Sequence, residues 1–254
     1  MSLHHVESVM GTTISIDIVD SHDRELVAEL VSWFHHVDDV FSPYKELSTI
    51  SRIGRGEIGP DEALTTEVVE VLDRCESLLA ETDGVFDVWS LPSPNGTRFD
   101  PCGYVKGWSV ERALRILDDH GVHDFCINAG GDIALGGRNH DGRPWNVGIR
   151  HPDDAQSLVM VLAAEGPIGI ATSGSYERGA HIFDPRVDLP STELASVTIV
   201  GPSLADADAY ATTVYVMGVQ GLAWLSRFPE YSGCVITRAE ELFSTERFDC
   251  YMAP

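Results

Sequence analysis

Three shortages mark this 254-residue sequence, and each removes a class of function. Positive charge is scarce: lysine and arginine number 17 against 40 aspartates and glutamates, a formal net charge of -23 at pH 7. So acidic a chain is repelled by nucleic acid and by anionic membranes, and neither is expected as a partner. The charge itself reads as a solvated acidic surface. An anionic ligand must therefore find a local cation: a lysine, an arginine or a bound metal. Cysteine is sparse and unpaired. Cys75, Cys102, Cys126, Cys234 and Cys250 are odd in number and scattered without C-x-x-C spacing, which argues against a structural zinc site or a disulfide framework and for a reducing compartment. Long apolar runs are missing too. Nothing approaches the roughly 20 residues of a membrane span, and the opening MSLHHVESVMGT has no apolar signal core, so a cytoplasmic location without a membrane segment is expected.

What is present is an ordinary enzyme-sized alternation of helices and strands. Apolar residues at helical spacing (Val27, Leu30, Val31, Phe34, Val37, Val40) predict a helix capped by Ser21 and ended by Pro43. Further helices are predicted over residues 65–82, 110–120, 206–217 and 219–228. Strand-like runs fall at 13–19, 124–128, 133–136, 145–150, 158–163, 168–171, 196–200 and 234–237. Several strands follow one another with no helix between them. That pattern predicts hairpins in antiparallel or mixed sheets with packed helices, an α+β fold and not a doubly wound parallel sheet. Leu91-Pro-Ser-Pro-Asn-Gly96 is a loop that divides the chain if it holds two closely packed subdomains; otherwise residues 1–254 form one domain.

Several short segments have the chemistry of a site. In 169–186, GIATSGSYERGAHIFDPR, an apolar strand empties into Thr172, Ser173 and Gly174 and returns seven residues later at His181, before an Asp-Pro turn. This reads as an active-site hairpin, with His181 a candidate general base by residue type or a plain surface histidine. Asp208 and Thr212 lie four apart on one predicted helix face, where a carboxylate and a hydroxyl reach one hard cation such as Mg²⁺; alternatively Asp208 is a first-turn acid, and Asp206 rivals it for either role. Lys106 precedes the third predicted helix and is either a solvated lysine or a phosphate partner. Asn128-Ala-Gly-Gly-Asp132 is a tight hairpin turn, or a bare backbone approached by a ligand that Asn128 and Asp132 hold.

Taken in order, these blocks resemble the ApbE-like FAD:protein FMN transferases. They are Met10-Gly-Thr12, Phe41-Ser-Pro-Tyr44 with Ser48-Thr-Ile-Ser-Arg52, Thr82-Asp-Gly-Val-Phe-Asp87, residues 100–107, residues 128–132, Ala171-Thr-Ser-Gly174, residues 181–185 and Ala207-Asp-Ala-Tyr-Ala-Thr212. The resemblance implies a T-fold-like, two-subdomain α+β architecture and Mg²⁺-dependent transfer of FMN from FAD to a threonine of an acceptor flavoprotein, with release of AMP. It implies His181 as base, Asp208, Thr212 and the Val105 carbonyl as metal ligands, and an FAD pocket lined by Met10, Tyr44, Val85, Phe86, Asp87, Lys106, Asn128, Gly130, Asp132, Thr172, Ser173 and Gly174. An FAD pyrophosphatase and a non-catalytic FAD-storage protein are the alternatives. The family's GGIAKG appears here as Cys102-Gly-Tyr-Val-Lys-Gly107, and Gly54 stands near where an asparagine is usual, so pocket shape is expected to differ.

Overall fold

The computed structural model describes residues 2–59, 64–93, 96–152, 154, 156–174, 183–186, 189–191 and 193–253. The chain runs from β1 (Leu3–Val9) and β2 (Thr12–Ile18) through α1 (Arg24–Phe41), α2 (Thr49–Gly54) and α3 (Thr66–Glu81) to the short β3 (Leu91–Ser93) and β4 (Gly96–Arg98). Helix α4 (Cys102–Asp119) precedes β5 (Phe125–Ala129), β6 (Asp132–Gly136), β7 (Trp145–Arg150), β8 (Leu158–Ala164), β9 (Ile168–Gly174), β10 (Phe183–Asp184), β11 (Leu189–Pro190) and β12 (Leu194–Gly201). Helices α5 (Leu204–Met217) and α6 (Gly221–Leu225) and strands β13 (Ser232–Thr237) and β14 (Leu242–Ser244) follow.

Period-two alternation decides which face of the sheet meets the helices. Ile14, Ile16 and Ile18 of β2 point one way and bury against Leu26, Leu30, Phe34 and Val37 of α1, with α3, α4 and α5 completing that core. Eight strands form one sheet in the order β1-β2-β5-β6-β9-β12-β13-β14, and every neighbouring pair is antiparallel. Leu135, Ile170 and Val200 face the other way, under the β7–β8 hairpin, where they pack with Val147, Ile149, Leu162 and Phe248. The fold is therefore α+β with an open sheet, as the succession of strands predicts. Among the described residues no helix is long and apolar enough to cross a membrane.

Several expected boundaries moved, each for a local reason. Helix α1 starts at Arg24 because the Asp23 carboxylate accepts from Glu25 N at 2.8 Å, while Ser21 only accepts from Asp23 N at 3.2 Å. Helix α4 begins at Cys102, eight residues before the expected start: Asp100 Oδ1 accepts from Cys102 N at 3.0 Å and starts the helix through Gly103 and Gly107. The last predicted helix divides into a 3₁₀ turn, Gly218–Gln220, and α6. Strand β9 is no hairpin partner of the 183–186 segment. It lies between β6 and β12, whereas Phe183 and Asp184 pair with Pro190 and Leu189. His181 lies outside the described residues.

Helix α5 is buried on nearly every side, so its sequence lacks a clean amphipathic stripe. Two glycines let it sit that deep. A Cβ on Gly107 of α4 would stand 2.7 Å from Ala205 Cα, and one on Gly169 of β9 would stand 2.6 Å from Leu204 Cα. The first turn of α5 is thereby clamped between α4 and β9 by backbone contact.

Candidate active site

Two tight turns lie side by side at one end of the sheet. Met10 and Gly11 join β1 to β2 with φ of 57° and 69°, and Gly130 and Gly131 join β5 to β6 with φ of 61° and 99°. Two consecutive left-handed residues are what a two-residue antiparallel turn requires, and glycine accepts them without strain. Methionine does not, and a non-glycine residue there costs on the order of 1–3 kcal/mol. The strained turn carries the Met10 side chain to Ser109 of α4, with sulfur 3.8 Å from Oγ, and onto the wall of a cleft. The second turn is closed by Asn128, whose Oδ1 accepts from Gly131 N at 2.8 Å. It delivers Asp132 to the first position of β6.

Three charged side chains meet behind these turns. Lys106, in the second turn of α4, contacts Oδ2 of Asp132 and lies 3.2 Å from Oδ2 of Asp208 on α5. Asp132 is 1% exposed and Asp208 6%. Two carboxylates buried this deeply need a cation, because an uncompensated buried charge costs several kcal/mol. Asp132 Oδ1 also accepts from Thr172 N at 3.1 Å, which fixes the carboxylate against β9. One residue on, Ser173 Oγ lies 3.3 Å from Thr212 Oγ1, one helical turn past Asp208. Thr172 Oγ1 turns to the other face and meets Thr198 Oγ1 at 3.0 Å. Asp132 and Asp208 thus present carboxylate oxygens to one ammonium, and the Ser173 and Thr212 hydroxyls pair one helical turn past Asp208.

That donor set suits a hard divalent cation that keeps some of its waters. No group of three His, Cys, Asp or Glu among the described residues is spaced to hold a metal, so hydroxyl or carbonyl oxygens must complete any such site. Val105 is buried beside Lys106 in the first turn of α4 and lines the cleft. Asp206 points elsewhere. Its Oδ1 accepts from Arg74 Nε at 2.9 Å, and Arg74 also binds Glu81 at 2.6 Å and the Tyr210 hydroxyl at 3.4 Å. The two acids hold the guanidinium charged against the burial that opposes it. Of the two aspartates that sequence alone leaves as rivals, only Asp208 faces Lys106.

The cleft itself is lined by Met10, Val37, Asp38, Phe41, Tyr44, Cys102, Val105 and Lys106, among others. Tyr44 stands at its rim, 83% exposed. Val85 and Phe86 are buried, Phe86 lies against Gly103 at the start of α4, and Asp87 accepts from Trp89 N at 2.7 Å and from Ser90 N at 3.2 Å. Phe86 therefore backs the start of α4, and the Asp87 carboxylate is committed to its own loop. Sequence reasoning missed the supports: Gly107, Gly169, Arg74 and Glu111. Glu111 Oε1 accepts from Ala205 N at 3.2 Å, so a carboxylate of α4 closes the N-terminus of α5, and burial raises its pKa above the ordinary range. A glycine inside a helix, at Gly107, would have pointed to the clamp only if the helix had been read from Cys102 and not from residue 110.

Comparison with known proteins places the chain in a family. A Vibrio cholerae protein named FAD:protein FMN transferase is 27% identical over 272 residues, 85% of this chain and 81% of its own length. A Klebsiella pneumoniae protein of the same name is 29% identical over 149 residues, 55% of this chain and 43% of the relative. The solved structure of the flavin transferase ApbE from Vibrio cholerae superimposes with a TM-score of 0.86 at 24% identity, covering 99% of both chains, a likeness of fold. The model of the ApbE family matches residues 10–95 and 89–236, which is most of the sequence, and the chain belongs to that family.

Proposed function

We propose that this protein is an FAD:protein FMN transferase that uses Mg²⁺, attaches FMN to a threonine hydroxyl of an acceptor flavoprotein and releases AMP. One observation carries the reading: in an ApbE-family chain, Lys106 lines a cleft and pairs behind it with the buried Asp132 and Asp208, beside the Ser173–Thr212 hydroxyl pair. The threonine Oγ attacks the flavin-side phosphorus, the bond from that phosphorus to the bridging oxygen breaks, and AMP leaves with the bridging oxygen. The threonine proton passes to His181. Phosphoryl transfer asks chiefly for positioning and for neutralised phosphate charge. Asp208 and Thr212, with the Val105 carbonyl, would hold Mg²⁺, which supplies charge neutralisation at the diphosphate when bound. Lys106 binds a phosphate oxygen as a point charge. Met10, Tyr44, residues 85–87, Asn128, Gly130, Asp132 and the Thr172-Ser173-Gly174 run surround the dinucleotide.

The test is incubation of the protein with FAD, Mg²⁺ and a candidate acceptor domain, with covalent flavin on the acceptor and free FMN both measured. Covalent flavin that disappears with chelator is expected, and His181→Ala should slow its formation on the order of 10²–10⁴-fold with FAD affinity little changed. Free FMN with every acceptor would instead indicate an FAD pyrophosphatase. FAD binding with neither product would indicate storage.

A further inference from the structure

We infer that Lys106 is a built-in counter-ion: its ammonium and a divalent cation are alternative occupants of Asp208, so metal binding releases the ammonium to an incoming diphosphate. The inference rests on the proposed reading of Asp208 as a metal ligand. Its first ground is burial. Asp132 and Asp208 are both buried, and in the protein alone the Lys106 ammonium meets both. A divalent cation on the same Asp208 carboxylate would lie beside that ammonium, and like charges at such range repel strongly in a site shielded from water.

The second ground is mechanical. Gly107 brings the backbone of α4 close against Ala205, which sets the Cα of Lys106 beside α5. Its four-carbon stem is flexible, so the exchange needs a change of rotamer and no shift of the helices. The third ground is residue choice. The chain has 15 arginines and two lysines, Lys45 and Lys106. The braced pairs of α5 and of the 184–186 turn use arginine, as Arg74 with Asp206 and Glu81 and Arg186 with Asp184, while Lys45 pairs with Asp38 and Asp39 near the surface. At position 106 a lysine, a point charge without a planar fork, can change partner without giving up a bidentate geometry. By reciprocity, a diphosphate that draws the ammonium away from Asp208 must tighten metal binding by the same factor that metal tightens diphosphate binding.

With two lysines, the protein carries its own probe. The full chain, labelled with ¹³C at lysine Cε, gives two side-chain signals, and Lys45→Arg assigns them. Mg²⁺ added without nucleotide should move the Lys106 signal and leave the Lys45 signal in place. Calorimetry should find that Lys106→Met binds Mg²⁺ on the order of tenfold more tightly than the native protein, whereas Lys106→Arg, which keeps the charge, should not. If Lys106→Met, folded by circular dichroism, binds Mg²⁺ no more tightly than native, or if the Lys106 signal stays fixed at saturating Mg²⁺, the exchange is wrong while the metal site stands. If neither native protein nor Lys106→Met binds Mg²⁺, the metal reading fails, and the inference with it.

Discussion

Helix α5 presents two aspartates two residues apart, and the protein treats them in opposite ways. Asp206 meets Arg74, a guanidinium that also grips Glu81 and Tyr210, so every partner in that cluster is protein and the cluster braces α3 against α5. Asp208 meets Lys106, which lines the cleft, with the Ser173 and Thr212 hydroxyls paired one helical turn on. A third carboxylate, Glu111, is neutralised by neither: it accepts from backbone N–H groups at the helix start. One helix end thus shows three ways to keep a buried negative charge, and only the pairing with lysine leaves room for exchange. Cation type separates brace from site where sequence position does not.

The largest effect that tests this contrast is on turnover. Asp208→Asn should lower FMN transfer by at least about 100-fold, as loss of a group that positions transition-state charge does, with little change in thermal stability. Asp206→Asn should do the reverse, leaving transfer near native and lowering stability by about 1–3 kcal/mol, because Arg74 loses one partner of a part-buried cluster. Steady-state rates and unfolding curves for the pair decide it. If Asp206→Asn is the inactive one, the assignment of brace and site is inverted.

Much of this was legible from the residues, and what escaped has a common cause. The Asp208/Thr212 spacing, the two-glycine turn before Asp132 and the Thr172-Ser173-Gly174 strand end are local patterns, and the structure brings all three to one end of the sheet. The choice between Asp206 and Asp208 depends on where Arg74 of α3 lies, 132 residues away in sequence, and no spacing records that. Lys106 was expected outside its helix because Gly103 and Gly107 weaken helix propensity, yet Gly107 is there for contact with Ala205. Strand β1 went unseen because an edge strand reading His-His-Val-Glu-Ser shows little apolar alternation.

The two glycines of α4 give the next effect in size and sharpen the comparison from the supporting side. Gly107→Ala places a methyl 2.7 Å from Ala205 Cα and should cost about 1–3 kcal/mol, as overpacking does, pushing Lys106 away from Asp208. Gly103→Ala meets only the Phe86 ring at 3.5 Å, ordinary contact, and should gain up to about 1 kcal/mol from helix propensity. Opposite signs in thermal unfolding would show that Gly107, and not Gly103, sets the close approach of α4 to α5. Equal signs would deny Gly107 its role as the clamp.

The smallest effect concerns Glu111, where sign matters more than size. Burial is the first cause that raises its pKa in the folded protein; the hydrogen bonds with Ser203, Leu204 and Ala205 pull the other way and do not cancel it. A carboxyl with a raised folded-state pKa contributes stability that is full below its unfolded pKa and is lost as pH rises through the folded value. Ionisation of the side chain is therefore a cost to the fold. Glu111→Gln keeps an oxygen for Ala205 N and removes the charge, so it should stabilise the protein at pH 7.5 by about 0.5–1 kcal/mol. That gain should close as pH falls below the ordinary glutamate range, where native Glu111 is itself neutral. Melting curves of both proteins at pH 7.5 and in mild acid measure the difference. A variant less stable at pH 7.5 would mean that the positive end of α5 favours the carboxylate by more than burial disfavours it. All three carboxylates around this helix would then be satisfied charges, and only the mobility of its cation would distinguish Asp208.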